Sequence, residues 1–169
     1  GDTHHLNEGI FHSCLLDEAI GAVRDFVRGH PQQPRAVVGF SLGGNFALRV
    51  ALRAPRAGLP LDGAVAGWPA IDPHHGLFSI EHAAWFYHAY FMYKWRRALR
   101  RKQKAFPDAR LFAPRELRAD MRGLTETLVQ RHTDFGTLEN YLDGYSVAGD
   151  QLAQLQVRTW MLTSRDDPV

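Results

Sequence analysis

Residues 36–45 read Ala-Val-Val-Gly-Phe-Ser-Leu-Gly-Gly-Asn, and this stretch decides the fold. Its first half, Ala36–Phe40, is a short apolar run of the kind found in strands that are buried on both faces of a sheet. Apolar residues at helical spacing follow over 43–54, and Pro55 ends that helix. Arg49 and Arg53, four residues apart, are expected to point away from its apolar side. The sequence therefore predicts a sharp strand-to-helix turn at Ser41, inside a Gly-x-Ser-x-Gly pentapeptide.

The predicted turn is suited to nucleophilic catalysis. It holds Ser41 in a strained backbone conformation and lifts the serine hydroxyl clear of the sheet edge. We expect Gly39 and Gly43 to be required, because a Cβ at either position would crowd the neighbouring elements. The backbone N–H of Leu42 then lies at a helix N-terminus, where the helix dipole favours an oxyanion. The alternative is an ordinary glycine-rich turn without a catalytic role.

Two further apolar runs complete a predicted parallel α/β sheet with flanking helices. The second run is Gly63–Gly67 and the third covers 157–163. A helix over 13–28, capped by Ser13, precedes the first strand. The order of strand, helix, strand, helical insert and strand is typical of α/β proteins.

The long stretch between the second and third strands carries no strand signal and predicts helices at 80–104, 116–131, 138–145 and 150–154. We therefore expect three parts. They are a core with the serine turn (1–72), a helical lid insert (73–154), and a core strand that leads into an acidic turn (155–169). Because three strands make a poor sheet, further strands are expected outside both ends of this sequence.

The acidic turn supplies the candidate partner of the serine. Asp166 and Asp167 follow the third strand, and the carboxyl ends of parallel strands are where such sheets place active groups. A solvated turn before Pro168 explains these aspartates equally well. Strand-turn-helix hydrolases use the chain order serine, acid, histidine. Since all nine histidines precede Asp167, the catalytic base is expected beyond Val169.

Composition excludes several classes of protein. With 45% apolar and 22% charged residues, the chain of 169 residues is an ordinary globular sequence. Cys14 is the only cysteine, so a disulfide scaffold is excluded, and we expect it to fill a helix face. No apolar run is long enough to span a membrane, and no export signal is present. These features favour a reducing cytoplasm.

The histidines do not form a convincing metal site. The pairs His4-His5 and His74-His75 consist of adjacent residues, which point to opposite sides of an extended chain. No metal or other cofactor is therefore expected. We expect His12 to hold a loop near the serine turn.

The positive charge is concentrated in one place. Seven basic residues and no acid lie between Lys94 and Lys104, while acids outnumber bases elsewhere, so the chain has no general nucleic-acid footprint. Seven aromatic residues lie between Trp85 and Trp95. The favoured interpretation is that the aromatics pack the insert onto the sheet and that the basic residues form a solvated helix face. The alternative is an acyl pocket with a peripheral contact to anionic membrane.

Residues 37–45 also resemble the nucleophile elbow of the YheT-like α/β hydrolases, whose plant relatives are the embryogenesis-associated hydrolases. Residues 11–18, 94–96, 141–143 and 166–168 resemble other segments of that family. The resemblance covers essentially the whole chain. It implies an α/β-hydrolase fold of about twice this length, of which the chain is a central fragment.

The resemblance implies a serine esterase with Ser41 as nucleophile, Asp167 as triad acid and a histidine downstream. Asp167 is preferred over Asp166 because the family's acid is usually followed by a Pro-Val type of run. The second oxyanion donor belongs to the family's first strands. Substrates implied are small-molecule or lipid acyl esters, and the segment alone is expected to be inactive. The alternative function is a non-catalytic lipid- or protein-binding module that uses the basic and aromatic insert.

Overall fold

The computed structural model of the chain describes residues 6–109 and 111–165. The helices and strands, in chain order, are α1 (Leu16–Gly29), β1 (Ala36–Phe40), α2 (Leu42–Arg53), β2 (Gly63–Gly67), α3 (Pro73–His82), α4 (Trp85–Ala105), α5 (Met121–His132), α6 (Leu138–Asp143) and β3 (Thr159–Leu162). Short 3-10 helices cover Pro107–Ala109, Glu116–Arg118 and Gly149–Gln154.

The three strands form one parallel sheet in the order β1-β2-β3. Val38 lies beside Val65 of β2, and Val65 lies beside Trp160 of β3. The predicted bounds of the first two strands are confirmed, and β3 is shorter than the predicted 157–163. The chain is therefore an α/β fold consistent with part of an α/β-hydrolase sheet.

The two faces of the sheet differ in burial. On one face, Val37 packs against a cluster from α1 and α2, and Ala66 packs against Leu48 of α2. The opposite face is exposed along both outer strands, at Val38, Phe40, Trp160 and Leu162. The prediction that β1 is buried on both faces is therefore wrong, because the helices next to it in sequence pack on one face only.

Contacts between α1 and α2 build the core on the covered face. The buried members of this cluster are Leu16, Ile20, Val50, Ala54 and Leu59. The predicted start of α1 at Ser13 is wrong, because the helix begins at Leu16 and its N-cap, Leu15, makes no side-chain cap. Cys14 consequently lies before the helix, partly buried, and does not fill a helix face as predicted.

The described residues divide into two compact units, one of residues 12–76 with 143–165 and the other of residues 6–11 with 77–142. The second unit has its own buried apolar residues, drawn mainly from α4, α5 and α6: Met92, Leu99, Leu124, Leu128, Val129, Leu138, Tyr141 and Leu142. None of the helices in the described part of the chain has the length and apolar composition needed to cross a bilayer.

The insert differs from its prediction in its helix bounds and in its basic face. The helix expected over 116–131 is divided into the 3-10 helix Glu116–Arg118 and α5, which begins at Met121. The continuous helix expected over 80–104 is wrong, because α3 and α4 are separated at Ala84, whose backbone is extended (φ −50°, ψ 133°). The predicted solvated basic face is interrupted by Lys102, which is buried and donates from Nζ to the carbonyl oxygen of Asn7 at 2.6 Å. Its ammonium also lies 5.5 Å from the centroid of the Phe106 ring.

The aromatic residues of the insert are mostly exposed. Of the seven, only Phe91 and Trp95 are partly buried, and their rings meet edge-on at 6.3 Å. The five exposed side chains are Trp85, Phe86, Tyr87, Tyr90 and Tyr93. The predicted packing role therefore does not describe most of these aromatics.

Candidate active site

Ser41 occupies the turn between β1 and α2. Its backbone has φ 53° and ψ −123°, a left-handed conformation that side-chain-bearing residues rarely adopt. The Ser41 side chain is exposed, and among residues 6–109 and 111–165 no group hydrogen-bonds its hydroxyl. The predicted strained turn with an accessible hydroxyl is therefore present.

Backbone hydrogen bonds hold this turn in place. The Ser41 N–H donates to the carbonyl oxygen of Gly67, the last residue of β2, at 2.9 Å. The Ser41 carbonyl oxygen accepts from the N–H groups of Asn45 at 3.1 Å and Ala70 at 3.3 Å. The strained residue is thus bonded both to its own helix and to the loop that follows the neighbouring strand.

Glycines make the turn sterically possible, but only one of the two glycines predicted to be required is tightly packed. A Cβ on Gly39 would overlap the Gly43 carbonyl group, so this position admits only glycine without rearrangement. The same requirement predicted for Gly43 is wrong, because a Cβ there meets nothing within 4 Å. The second tight position is Gly44, where a Cβ would lie 3.1 Å from Pro69.

The candidate oxyanion donor is the backbone N–H of Leu42, the first residue of α2. The first N–H groups of a helix have no acceptor within the helix, and no other described residue accepts from Leu42. A free N–H at a positive helix end, directly after the serine, is suited to a developing negative charge.

The ends of all three strands meet at the edge that carries Ser41. Trp68 follows β2 with φ 44°, and its N–H donates to the carbonyl oxygen of Leu162 at 2.7 Å. Its indole Nε1 donates to Ser164 Oγ at 3.2 Å, which ties the loops after β2 and β3 together. The predicted acids, Asp166 and Asp167, lie outside the described residues.

The family model described as Serine aminopeptidase, S33 (Hydrolase_4) matches residues 11–169. The chain belongs to this family of α/β hydrolases. The match covers the serine turn, all three strands and the insert. Neither the curated proteins nor the solved structures gave a match to the chain.

Beneath the serine turn of this S33-family chain, two polar side chains of α2 are buried. Asn45 Nδ2 donates to the carbonyl oxygens of Ala70 and Tyr145, both at 2.8 Å. Arg49, one helical turn further, donates from Nη1 to the Ser13 carbonyl oxygen at 2.6 Å and to Asn45 Oδ1 at 3.3 Å. These bonds connect α2 with loops from distant parts of the sequence.

Sequence reasoning missed this network. Arg49 was expected to point away from the apolar side of α2, but only 7% of it is exposed. The sequence did carry a signal for this network. Asn45 and Arg49 lie four residues apart in a helix whose other residues are almost all small or apolar, which indicates a buried polar pair.

None of the described histidines bonds to Ser41. His12 Nδ1 accepts from the Cys14 N–H at 3.3 Å, which agrees with the predicted role of His12 in holding a loop. Burial lowers the pKa of His12, and the negative charge of Glu18 partly opposes this effect. His74 pairs instead with Asp143, at 2.8 Å, and both side chains are exposed.

The environment of Cys14 disfavours its thiolate. Burial raises the pKa of the Cys14 thiol to about 11, and the positive charge of Arg49 partly counters this shift. Cys14 is therefore a poor nucleophile at neutral pH. Among the described residues there is no group of three or more histidine, cysteine, aspartate or glutamate side chains arranged to hold a metal ion.

Proposed function

We propose that the intact protein is a YheT-like serine hydrolase that acts on carboxylic acyl esters. The observation that carries this proposal is the combination found at Ser41: positive φ, an exposed hydroxyl and a position directly before α2. Strain of this kind persists only where surrounding structure maintains it, and it is concentrated at functional sites. Membership of the S33 family supports hydrolase chemistry.

In the proposed reaction, Ser41 Oγ attacks the ester carbonyl while a base takes its proton. The Leu42 N–H donates to the carbonyl oxygen as it becomes negatively charged. The leaving alcohol departs with the proton, and water then releases the acid from the acyl-enzyme. This sequence of steps requires no cofactor.

We assign the base to a histidine that follows Val169 and the orienting carboxylate to Asp167, with Asp166 as the alternative. Supporting this, Ser164 after β3 is bonded to Trp68 at the edge of the sheet where Ser41 lies. Asp166 and Asp167 follow Ser164 by two and three residues in the sequence, which favours them as the source of the carboxylate. The segment of residues 1–169 alone is expected to be inactive, because none of its described histidines contacts Ser41.

A fluorophosphonate probe tests the nucleophile in the intact protein. We expect wild type to be labelled and Ser41→Ala to be unlabelled, with esterase activity lower by at least about a thousandfold. An unlabelled wild type, or a Ser41→Ala variant labelled as strongly as wild type, would remove the assignment. Peptide mapping by mass spectrometry identifies the residue that carries the probe.

Matched substrates distinguish ester hydrolysis from the aminopeptidase activity for which the family is named. We expect turnover of p-nitrophenyl acyl esters to exceed that of amino-acid p-nitroanilides by a large factor. The two leaving groups absorb in the same spectral region, so the comparison is made in one assay. Preferential cleavage of the anilides, with loss of activity in Ser41→Ala, would replace the ester assignment and leave the nucleophile in place.

A second candidate is the non-catalytic lipid- or protein-binding module. The observation that favours it is the exposure of the aromatic residues on α4, where 80% of Trp85 and 61% of Tyr90 are exposed next to basic residues. This candidate predicts salt-sensitive binding of the intact protein to anionic vesicles and no esterase activity. Absence of vesicle binding at low salt would remove the membrane form of this candidate.

A further inference from the structure

A cavity of about 430 Å³ lies within the unit formed by residues 6–11 and 77–142. On one side α4 contributes His88, Met92, Arg96 and Arg100. These residues are spaced four apart, so they lie along one face of the helix. Pockets that bind small organic molecules commonly have volumes of roughly 300–1,000 Å³.

The opposite side of the cavity comes from the segment that leads into α5. This segment contributes Arg118 and Asp120. Asp120 is the N-cap of α5, and its Oδ1 accepts from the Gly123 N–H at 2.8 Å. One of its oxygen atoms is thereby engaged by the protein backbone.

Two residues that line the cavity have buried nitrogen atoms without a hydrogen-bond partner among the described residues. These atoms are His88 Nε2 and Arg96 Nε. Unsatisfied buried polar atoms are uncommon in folded proteins because each loses its hydration without compensation. Both atoms have almost no accessible surface, so they do not open onto the cavity, and a ligand there would be bound by the remaining nitrogen atoms of the arginine side chains.

The protein holds the Arg96 guanidinium in place before any ligand binds. Its Nη2 donates to the carbonyl oxygen of Ala119 at 2.7 Å, and the Arg118 carbonyl oxygen lies at 3.4 Å. These bonds fix the plane of the guanidinium group, and no described residue accepts a hydrogen bond from Nη1. A fixed guanidinium loses little conformational entropy on binding, which favours recognition of a planar or tetrahedral oxyanion.

The charges of the lining match a dianion. Arg96, Arg100 and Arg118 provide three positive charges, and Asp120 provides one negative charge, so these four residues have a balance of two positive charges. Met92 adds an apolar wall beside them. This combination suits an oxyanion attached to an organic group better than a small inorganic ion alone.

From these observations we infer that the cavity binds a phosphate monoester through Arg96, Arg100 and Arg118. The phosphate oxygens accept from the guanidinium groups of these arginines, and the organic part lies against Met92. No step of the proposed ester hydrolysis uses these residues, so the site is an additional binding function of the protein.

The test uses phenyl phosphate as the probe, titrated into the intact protein at constant ionic strength and followed by calorimetry. We expect saturable binding with one ligand per chain. The affinity is expected to fall about tenfold or more in Arg100→Gln and in Arg96→Gln, because each change removes a charge-assisted hydrogen bond. Arg97→Gln is the matched control: Arg97 lies on the same helix, is exposed and does not line the cavity.

Arg96 also supports the fold through its bonds to backbone carbonyl groups, so Arg100→Gln, whose side chain is exposed, is the decisive variant. Circular dichroism and thermal unfolding are expected to show Arg100→Gln folded like wild type. No saturable binding by wild type, or an equal loss of affinity in Arg97→Gln and Arg100→Gln, would overturn the inference.

Two further titrations identify the source of the phosphate group. Glycerol 3-phosphate represents soluble monoesters, and phosphatidic acid in phosphatidylcholine vesicles represents a lipid headgroup. Binding of either that is weakened by Arg100→Gln and unaffected by Arg97→Gln supports the site, while binding of neither overturns it. Ser41→Ala is expected to keep full phosphate affinity, so failure of the hydrolase proposal and failure of this one give different results.

Discussion

The side-chain amide of Asn45 donates to the carbonyl oxygen of Tyr145, which lies 100 residues later in the chain, at a distance of 2.8 Å. The same Nδ2 atom donates to the carbonyl oxygen of Ala70. Asn45 is completely buried and belongs to the first turn of α2, directly after Ser41. One side chain therefore holds the helix of the serine turn against two loops that the sequence keeps far apart.

Replacing Asn45 with alanine is expected to lower the free energy of unfolding by about 2–4 kcal/mol, since two partly buried carbonyl groups lose their donor and a cavity forms where the buried amide was. Urea unfolding of the intact protein measures this change. Asn140→Ala is the matched control, because Asn140 is exposed and makes one amide bond, to the Phe135 carbonyl oxygen. An Asn45→Ala effect no larger than that of the control would contradict the structural role.

Gly39, which precedes Ser41, and Gly43, near the start of α2, are expected to respond differently to substitution by alanine. Gly39→Ala introduces a Cβ that overlaps the Gly43 carbonyl group, so we expect a loss of about 3 kcal/mol or more, or failure to fold. Gly43→Ala meets open space within α2 and is expected to stabilise by about 0.5–1 kcal/mol. Thermal unfolding of both variants provides the comparison, and equal destabilisation would contradict it.

The positive φ of Ser41 carries a cost in stability that glycine does not share. Ser41→Gly is expected to be more stable than Ser41→Ala by about 1 kcal/mol, because alanine retains the strained conformation and glycine adopts it freely. Both variants lack the hydroxyl, so the effect of losing it on the free energy of unfolding is the same in each and does not enter the difference. Chemical denaturation resolves this difference, and an alanine variant as stable as the glycine variant would argue against strain at this residue.

The Cys14 thiol offers a pH-dependent measurement that does not require the substrate. Because its pKa is raised to about 11, alkylation by iodoacetamide at pH 8 is expected to be on the order of tenfold slower than for free cysteine. The alkylation rate should continue to increase up to about pH 11. Cys14 is the only cysteine among these 169 residues, and peptide mapping by mass spectrometry measures its alkylation specifically.

The sign of the corresponding effect on stability follows from the raised pKa of Cys14. Between the ordinary thiol value and about 11, the unfolded chain loses this proton while the folded chain retains it. The contribution of Cys14 to stability is therefore complete below that interval and is lost as the pH rises through it. Arg49→Gln is expected to raise the pKa of Cys14 further, and a lower pKa in that variant would contradict the cause assigned here.

The sequence predicted those parts of the fold that depend on local chemistry. β1 and β2 have the predicted bounds because each is a short apolar run. Ser41, in the Gly-x-Ser-x-Gly turn, follows the first run, and Trp68-Pro69 follows the second. The strained turn at Ser41 was predicted because the Gly-x-Ser-x-Gly pattern lies between a strand and a helix, although only Gly39 of its two glycines is sterically required. The wrong start of α1 has the same origin, since Ser13 is a favourable N-cap residue and only the tertiary structure delays the helix to Leu16.

Features that depend on long-range contacts were not predictable in this way. Arg49 has the spacing of an exposed helical residue, and only the Ser13 and Gly144 carbonyl groups explain its burial. The break before α4 falls at Ala84, a residue that carries no breaker signal. Which of Gly43 and Gly44 is tightly packed depends on Pro69, which follows β2.

Ser41 and Trp68 are the non-glycine residues with positive φ in the described part of the chain, and Gly67 links them. The Gly67 carbonyl oxygen accepts from Ser41, and the Trp68 N–H that follows it donates to Leu162. The Gly67 carbonyl oxygen and the Trp68 N–H belong to the same peptide group, so a rotation of this group that relaxed Trp68 would also disturb the hydrogen bond to Ser41. We therefore expect hydrogen exchange at the N–H groups of Ser41 and Trp68 to increase together when the bend at Trp68 is destabilised.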